Sequence, residues 1–279
     1  MSWHDVVHDW VPPVVLRLLR GLRHSIPWHE WEVAPGGWET PARGWNVDSV
    51  ANVQAGRWPK YVEAIDGAAP VTVARESDSG HVADLIGHNA AMMFGYVLLA
   101  VARGKARLSV LDWGGAFGHY ALLARALAGH VSFDYTVYDV PRIVEEGRRL
   151  NHDVTFIDDR HVALGRGYDL VMASSSIWYE RDWKPLVRDL AQPADALYVC
   201  RMAFVFRSPS VVAIQRPMRG AAYATEYLCW ILNRDEFVQH VTSSGMTLVR
   251  EFVMEDGPSI RGLDEQPLYR GFLFRKQTT

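Results

Sequence analysis

The apolar positions change period along the chain. Over residues 11–22, Val14, Val15, Leu18, Leu19 and Leu22 recur at helical spacing and predict an amphipathic helix. Its apolar stripe is expected to pack on its own domain, or to serve as a dimer or partner surface. The rest of residues 1 to about 80 is rich in Trp and punctuated by Pro and Gly. Residues 81–107 read as one long helix, with Val82, Leu85, Ile86, Ala90, Met93, Val97 and Val101 on a helical period. From Leu108 onward, short apolar runs alternate with helical patterns, the signature of stacked βα units and a mainly parallel sheet.

Strands are expected at 108–113, 134–139, 153–158, 168–174, 196–202, 246–252 and 269–274. Helices are expected at 118–128, at 141–150 with Pro141 at the first helical position, and at 182–190. A further helix at 233–243 opens with Asn233 and Glu236 in capping-box spacing. A helical run is also expected at 227–232. Seven strands, the last two joined without a helix, predict an α/β fold with a doubly wound sheet closing in an antiparallel hairpin. The expected organisation is a Trp-rich, partly helical extension or lid over residues 1–107 and a sheet domain over 108–279. There is no internal repeat.

Composition narrows the function. The chain has 279 residues, 49% of them hydrophobic, and a formal net charge of −3. That length can bury a large core. The weak negative charge argues against a generic nucleic-acid binder, which needs clustered cations, and no nucleic-acid partner is expected. Cys200 and Cys229 are too few for a disulfide framework or a four-thiolate metal site, and read as buried free thiols of a reducing compartment. His4 and His8 have helical ligand spacing, but no nearby acid or thiol completes a set, so no metal is assigned. No run reaches the ~20 continuous apolar residues of a membrane span. Arg17 and Arg20 interrupt the 11–22 segment, Asp5 and Asp9 precede it, and no small-residue cleavage site follows. A cytoplasmic protein without a membrane segment is the expectation.

The chemistry-bearing segment is Leu111-Asp112-Trp113-Gly114-Gly115-Ala116-Phe117-Gly118, between a strand and a helix. Glycines there allow a tight turn and close approach of a ligand, and the following helix offers unpaired N–H groups. Asp139 ends the next strand, 21 residues past Gly118, where a carboxylate accepts from ribose hydroxyls. Asp112 is expected to face the ligand. A carboxylate there suits an ammonium or sulfonium better than a diphosphate, which selects S-adenosylmethionine over a dinucleotide.

From Leu108 to about residue 275 the sequence resembles the class I S-adenosylmethionine-dependent methyltransferases. Asp112-x-Gly114-Gly115-x-x-Gly118 is similar to that family's first motif, with Ala116 in place of its middle glycine. The resemblance implies a Rossmann-like seven-stranded doubly wound sheet with helices on both faces, preceded by a mainly helical N-terminal extension. It implies S-adenosyl-L-methionine as cofactor, held by Asp112, Gly114, Gly115 and Gly118 at the methionyl end. Asp139 would take the ribose and Val140 flank the adenine. Asp158, or Asp159, would meet the adenine amino group. Ser174 and Ser175 would stand at the passage to the substrate. The segment around Pro35-Gly36-Gly37-Trp38 resembles a group of bacterial methyltransferase-like proteins of undefined substrate.

Tyr138-Asp139-Val140-Pro141 and Arg181-Asp182-Trp183 are similar to segments of small-molecule O-methyltransferases. The latter is similar to a His-Asp-Trp segment whose His is the general base. Arginine stays protonated and cannot accept that proton. His88, His119, Tyr179 and Glu180 are the candidate replacement bases, with core or surface roles as their alternatives. Trp178, Tyr179 and Trp183 are expected either to wall a substrate pocket or to pack in the core, and Arg216 to hold an acidic substrate group or to sit in a solvated loop.

Three readings follow. The first is a methyltransferase-like enzyme acting on a small molecule in bacterial specialised metabolism. The second is an enzyme of the same fold that performs a non-methylating displacement, such as ring closure with loss of an anion stabilised by Arg181 or Arg216. The third is a subunit that forms a homodimer or meets a protein partner through its N-terminal region.

Overall fold

The computed structural model describes residues 29–68, 71, 85–217 and 225–277. The predicted 11–22 helix and positions 4 and 8 lie outside the described residues.

All seven predicted strands are present. They are β2 (Arg107–Trp113), β3 (Ser132–Tyr138), β4 (Thr155–Ile157), β5 (Tyr168–Ser174), β6 (Ala194–Val205), β9 (Met246–Asp256) and β10 (Leu268–Lys276). Three more were not foreseen: β1 (Trp31–Val33), β7 (Val211–Gln215) and β8 (Tyr227–Asn233). β2 pairs in parallel with β3 and β5, β3 with β4, and β5 with β6. β10 runs antiparallel to both β6 and β9, which gives the expected closing hairpin. The fold is a Rossmann-like, doubly wound α/β sheet.

Side chains alternate between two core layers. On β6, Ala196, Tyr198 and Cys200 face one layer, and Leu197 and Val199 the other. On β5, Leu170 and Met172 divide from Val171 and Ala173 in the same way. Covered strands of this kind read as continuous apolar runs because neither face meets water. The first layer is closed by α1 (Asp48–Asp66), α2 (Leu85–Ala102), α3 (His119–Leu127) and α4 (Pro141–Leu150). The second is closed by α5 (Arg160–Leu164), α6 (Trp183–Ala191) and α7 (Arg234–Ser243). Residues of α1 and α2 belong to the same core as the sheet, and Trp31 of β1 belongs to the other layer.

The run over 227–232 is a strand, not a helix. Tyr227, Cys229 and Ile231 are buried while Leu228 and Trp230 are half-exposed, a period of two. An unbroken apolar run satisfies either period, and pairing decides. β8 bonds antiparallel to β7 and in parallel to the end of β6, and β7 takes β1 on its far side. The capping box at α7 is also modified. Asn233 Oδ1 accepts from Asp235 and Glu236 N–H as expected. The return bond is relayed instead: Asn233 N–H donates to Ser210 Oγ at 2.8 Å, whose hydroxyl donates to Glu236 at 2.5 Å. Among the described residues α2 alone is long and apolar enough to cross a bilayer, although His88 and Asn89 interrupt its apolar run. Its buried residues, including Phe94, Val97 and Leu98, pack in the first core layer.

Candidate functional site

The chain leaves β2 toward β3 and β4, then returns to lay β5 on the other side of β2. The connections after β2 and β5 therefore diverge, opening a crevice at their carboxyl ends. A cleft of ≈ 680 Å³ lies there, within the roughly 300–1,000 Å³ typical of small-molecule sites.

The glycine bend forms its floor. Gly114 N–H donates to Tyr138 O at 2.7 Å, and Ser176 Oγ donates to Trp113 O at 2.6 Å. Gly114 has φ +71°, and a Cβ there would stand 2.5 Å from Ser176 Cβ. Asp139 Oδ2 accepts from Ala116 N–H at 2.8 Å, and its Oδ1 accepts from Val140 N–H at 2.8 Å. The acid ending β3 is thus tied directly to the bend ending β2. The three non-glycine residues with positive φ among those described are Ala116, Ser175 and Arg201, and all three line this cleft. Such backbone costs about 1–3 kcal/mol per residue and concentrates at functional sites.

A strap over residues 38–46 forms one wall. Gly44 N–H donates to Glu226 O, and Thr225 Oγ1 donates to Gly44 O. Trp45 stacks on Tyr227 at 4.0 Å and meets Tyr179 edge-on at 5.0 Å. Trp38 packs on Trp230, whose Nε1 donates to Arg181 O.

Several predicted site residues line the cleft: Gly114, Asp139, Val140, Ser175, Tyr179 and Glu180. Others do not, and the differences have physical causes. Asp112 is fully buried beneath the bend, where its carboxylate fills the space a Gly115 Cβ would need and accepts from Tyr135 Oη at 3.1 Å. It supports the bend and is not among the residues that line the cleft. Burial, reinforced by the Asp112 charge, pushes the Tyr135 hydroxyl's pKa well up, so that it remains a donor. Gly115 and Gly118 are likewise supports; Gly118 adopts φ +80° to cap α3.

Asp158 is exposed beside Arg148, and Asp159 caps α5 by accepting from His161 and Val162 N–H. Neither belongs to the cleft lining. Ser174 is buried against the Tyr120 hydroxyl at 3.0 Å. His119 is enclosed by the rings of Trp58 and Tyr61 at 5.2 and 4.6 Å and is not among the residues that line the cleft. His88 faces Val71 O from α2. Trp178 and Trp183 take their core alternative, against Trp31 and Phe237 respectively. Arg181 is a strut: its Nη2 donates to Glu39 Oε1 at 2.7 Å, outside the cleft. Arg216 joins β7 to β1 through Glu32 at 2.5 Å.

Sequence reasoning missed Tyr138, Ser176 and Arg201 as cleft residues, while Trp38 and Trp45, two of the tryptophans of the expected extension or lid, also line it. Tyr138 and Ser176 adjoin residues already chosen. Arg201 carried its own signal, a charge inside the apolar run Tyr198-Val199-Cys200-Arg201-Met202. Half-burial raises the pKa of the Tyr138 hydroxyl, and the nearby Arg160 only partly opposes the shift.

No protein-family model and no curated protein matches the chain. Solved structures similar to it include an S-adenosylmethionine-dependent methyltransferase from Clostridium acetobutylicum ATCC 824. That match has 10% identity and a TM-score of 0.46, over 67% of this chain and 90% of that one. The mitomycin 7-O-methyltransferase MmcR matches at 15% identity and TM-score 0.45, over 69% of this chain and 55% of its own. LepI, solved in complex with SAM, matches at 9% and 0.44, over 64% and 46%. This chain thus spans about half the length of the last two.

Proposed function

We propose that this chain is an S-adenosylmethionine-dependent methyltransferase acting on a small molecule. The observation that carries the reading is the Asp139 carboxylate, fastened at 2.8 Å to the N–H of Ala116 within the glycine bend, at the point where the sheet reverses direction. The lining fits the cofactor. Asp139 would hold the ribose hydroxyls, and Val140 and Ile143 would meet the flat base. The bend, with Ser175 and Ser176, would receive the amino-acid end, and the missing Cβ at Gly114 keeps that approach open. When bound, S-adenosylmethionine supplies an electrophilic methyl group with a good leaving group already attached. The protein's share is to align an acceptor and exclude water. Trp38, Trp45, Tyr179 and Tyr227 supply the apolar wall, and of the candidate replacement bases Tyr179 and Glu180 are the two that line the cleft.

Calorimetry with S-adenosylmethionine and S-adenosylhomocysteine tests the reading. Binding by the natural chain, weakened at least tenfold in Asp139→Asn, is the expected result. A chain that binds neither compound is not a methyltransferase of this kind.

A non-methylating displacement would draw on Arg181, which stands in the base position, or on Arg216. Arg181 is engaged with Glu39 outside the cleft, and Arg216 with Glu32. Neither is placed to stabilise a departing anion, and methyl transfer is the better-supported reaction.

A further inference from the structure

We propose that the exposed face of α2 is the interface of a homodimer, in which the α2 of a second copy packs antiparallel to it about a two-fold axis. The proposal goes beyond the methyltransferase reading and stands apart from it, because no residue of α2 lines the cleft.

Exposure along α2 follows one stripe. Leu85, Met92, Tyr96 and Leu99 are exposed, as is Arg103 just past the helix, and Asn89 is half-exposed. From Leu85 to Arg103 the spacing alternates between four and three residues, which is the seam of a packed helix pair. A helix face turned to water ordinarily carries charge, yet none of the 18 residues of α2 is charged, and Leu99 is 69% exposed. Leu127, at the end of α3, widens the face: it is exposed, and a Cβ at Gly95 would lie 3.5 Å from its Cδ1. Five of the ten large apolar residues exposed among those described are gathered here. Such clustering marks an interaction surface, whereas scattered exposed apolar residues do not.

Charge along the flank of this face selects a second copy as its occupant. β9 runs beside α2: Tyr96 meets Phe252 edge-on at 5.4 Å, Arg250 lies over the Tyr96 ring at 6.0 Å, and Asn89 Nδ2 donates to Met254 O at 2.8 Å. The strand therefore carries Glu255 and Asp256 toward the Leu85 end of the helix. Arg103 stands at the opposite end, with Arg275, which donates to Ala100 O at 2.7 Å. One end of the face is acidic and the other basic. An antiparallel two-fold, with Met92 of one copy against Tyr96 of the other, lays each basic end on the other copy's acidic end. A parallel pair would oppose like charges. A lipid surface calls for a cationic rim, which the acidic end contradicts. Pairing along the open edge of β9 is discouraged by its two register shifts and by Arg250, Glu251, Glu255 and Asp256.

Light scattering on the full chain as it elutes from a sizing column is expected to give twice the 31.5 kDa of one copy. Leu99→Glu and Met92→Lys, both at exposed positions, are expected to weaken dimerisation at least tenfold in sedimentation equilibrium. Both should keep the circular dichroism of the natural chain and bind S-adenosylhomocysteine within about twofold of it. Arg103→Glu and Asp256→Arg are each expected to weaken the dimer severalfold at low salt, and the double variant to recover it, because the two positions meet across the axis. A natural chain that runs as a monomer overturns the proposal. So does a monomer that floats with phosphatidylcholine vesicles, an outcome that assigns the face to lipid. A dimer undiminished by both folded apolar-to-charged variants lies on another surface and overturns it too, and a double charge swap without recovery overturns the antiparallel arrangement. If neither apolar-to-charged variant folds, the charge swap decides. If S-adenosylhomocysteine binds no form, the cofactor reading fails by itself, and the masses still decide for α2.

Discussion

Replacing Gly114 by Ala tests the geometry of the bend. At φ +71° an L-residue costs roughly 1–2 kcal/mol. The added methyl would also lie 2.5 Å from Ser176 Cβ, and crowding of that kind costs about 1–3 kcal/mol. Gly114→Ala should therefore lose about 2–5 kcal/mol in urea unfolding, with weakened binding of S-adenosylhomocysteine. The two contributions separate in a double-mutant cycle. Ser176→Gly removes the opposing Cβ, at the expense of the hydroxyl's bond to Trp113 O, so it should recover about 1–3 kcal/mol in the Gly114→Ala background. Ser176→Ala keeps the Cβ and should recover little. Additivity with Ser176→Gly, or equal rescue by Ser176→Ala, would refute the assigned clash.

Asp159→Ala should cost about 1 kcal/mol as a lost helix cap and leave cofactor affinity unchanged in calorimetry, because Asp159 caps α5 outside the cleft. Glu265 is nearly enclosed, which works against its charge, yet the N–H groups of Phe206, Ser208 and Arg207 outweigh this and hold its pKa down to about 2. Because the folded value lies below the unfolded value of about 4.3, its stabilisation is full above that pH and is lost as pH falls toward 2. Glu265→Gln should flatten the acid side of the stability profile measured by circular dichroism. Burial raises the pKa of both Cys200 and Cys229. Neither thiol should react with a chromogenic disulfide at pH 8 until denaturant is added, so a rapid native-state reaction would contradict their burial.

The order of elements from Leu108 was legible because covered parallel strands and amphipathic helices leave different periods in the sequence. The acid after β3 and the glycine bend were legible because few residue types satisfy those backbone demands. Local pattern could not fix the period of 227–232: every position there up to Leu232 is apolar, and only hydrogen bonds from β7 and β6 make it a strand. Nor could pattern tell Asp112 under the bend from Asp139 beside it, since which face a carboxylate meets depends on strand pairing and on what fills the space above. His119, Arg181 and Arg216 left the candidate site for the same reason: their partners Trp58, Glu39 and Glu32 lie far away in sequence. Arg201 entered it through a register shift against a strand some 70 residues later. Sequence determined the seven foreseen strands, the helices between them and the glycine bend. Long-range pairing, which no local window contains, decided which side chains meet in the cleft.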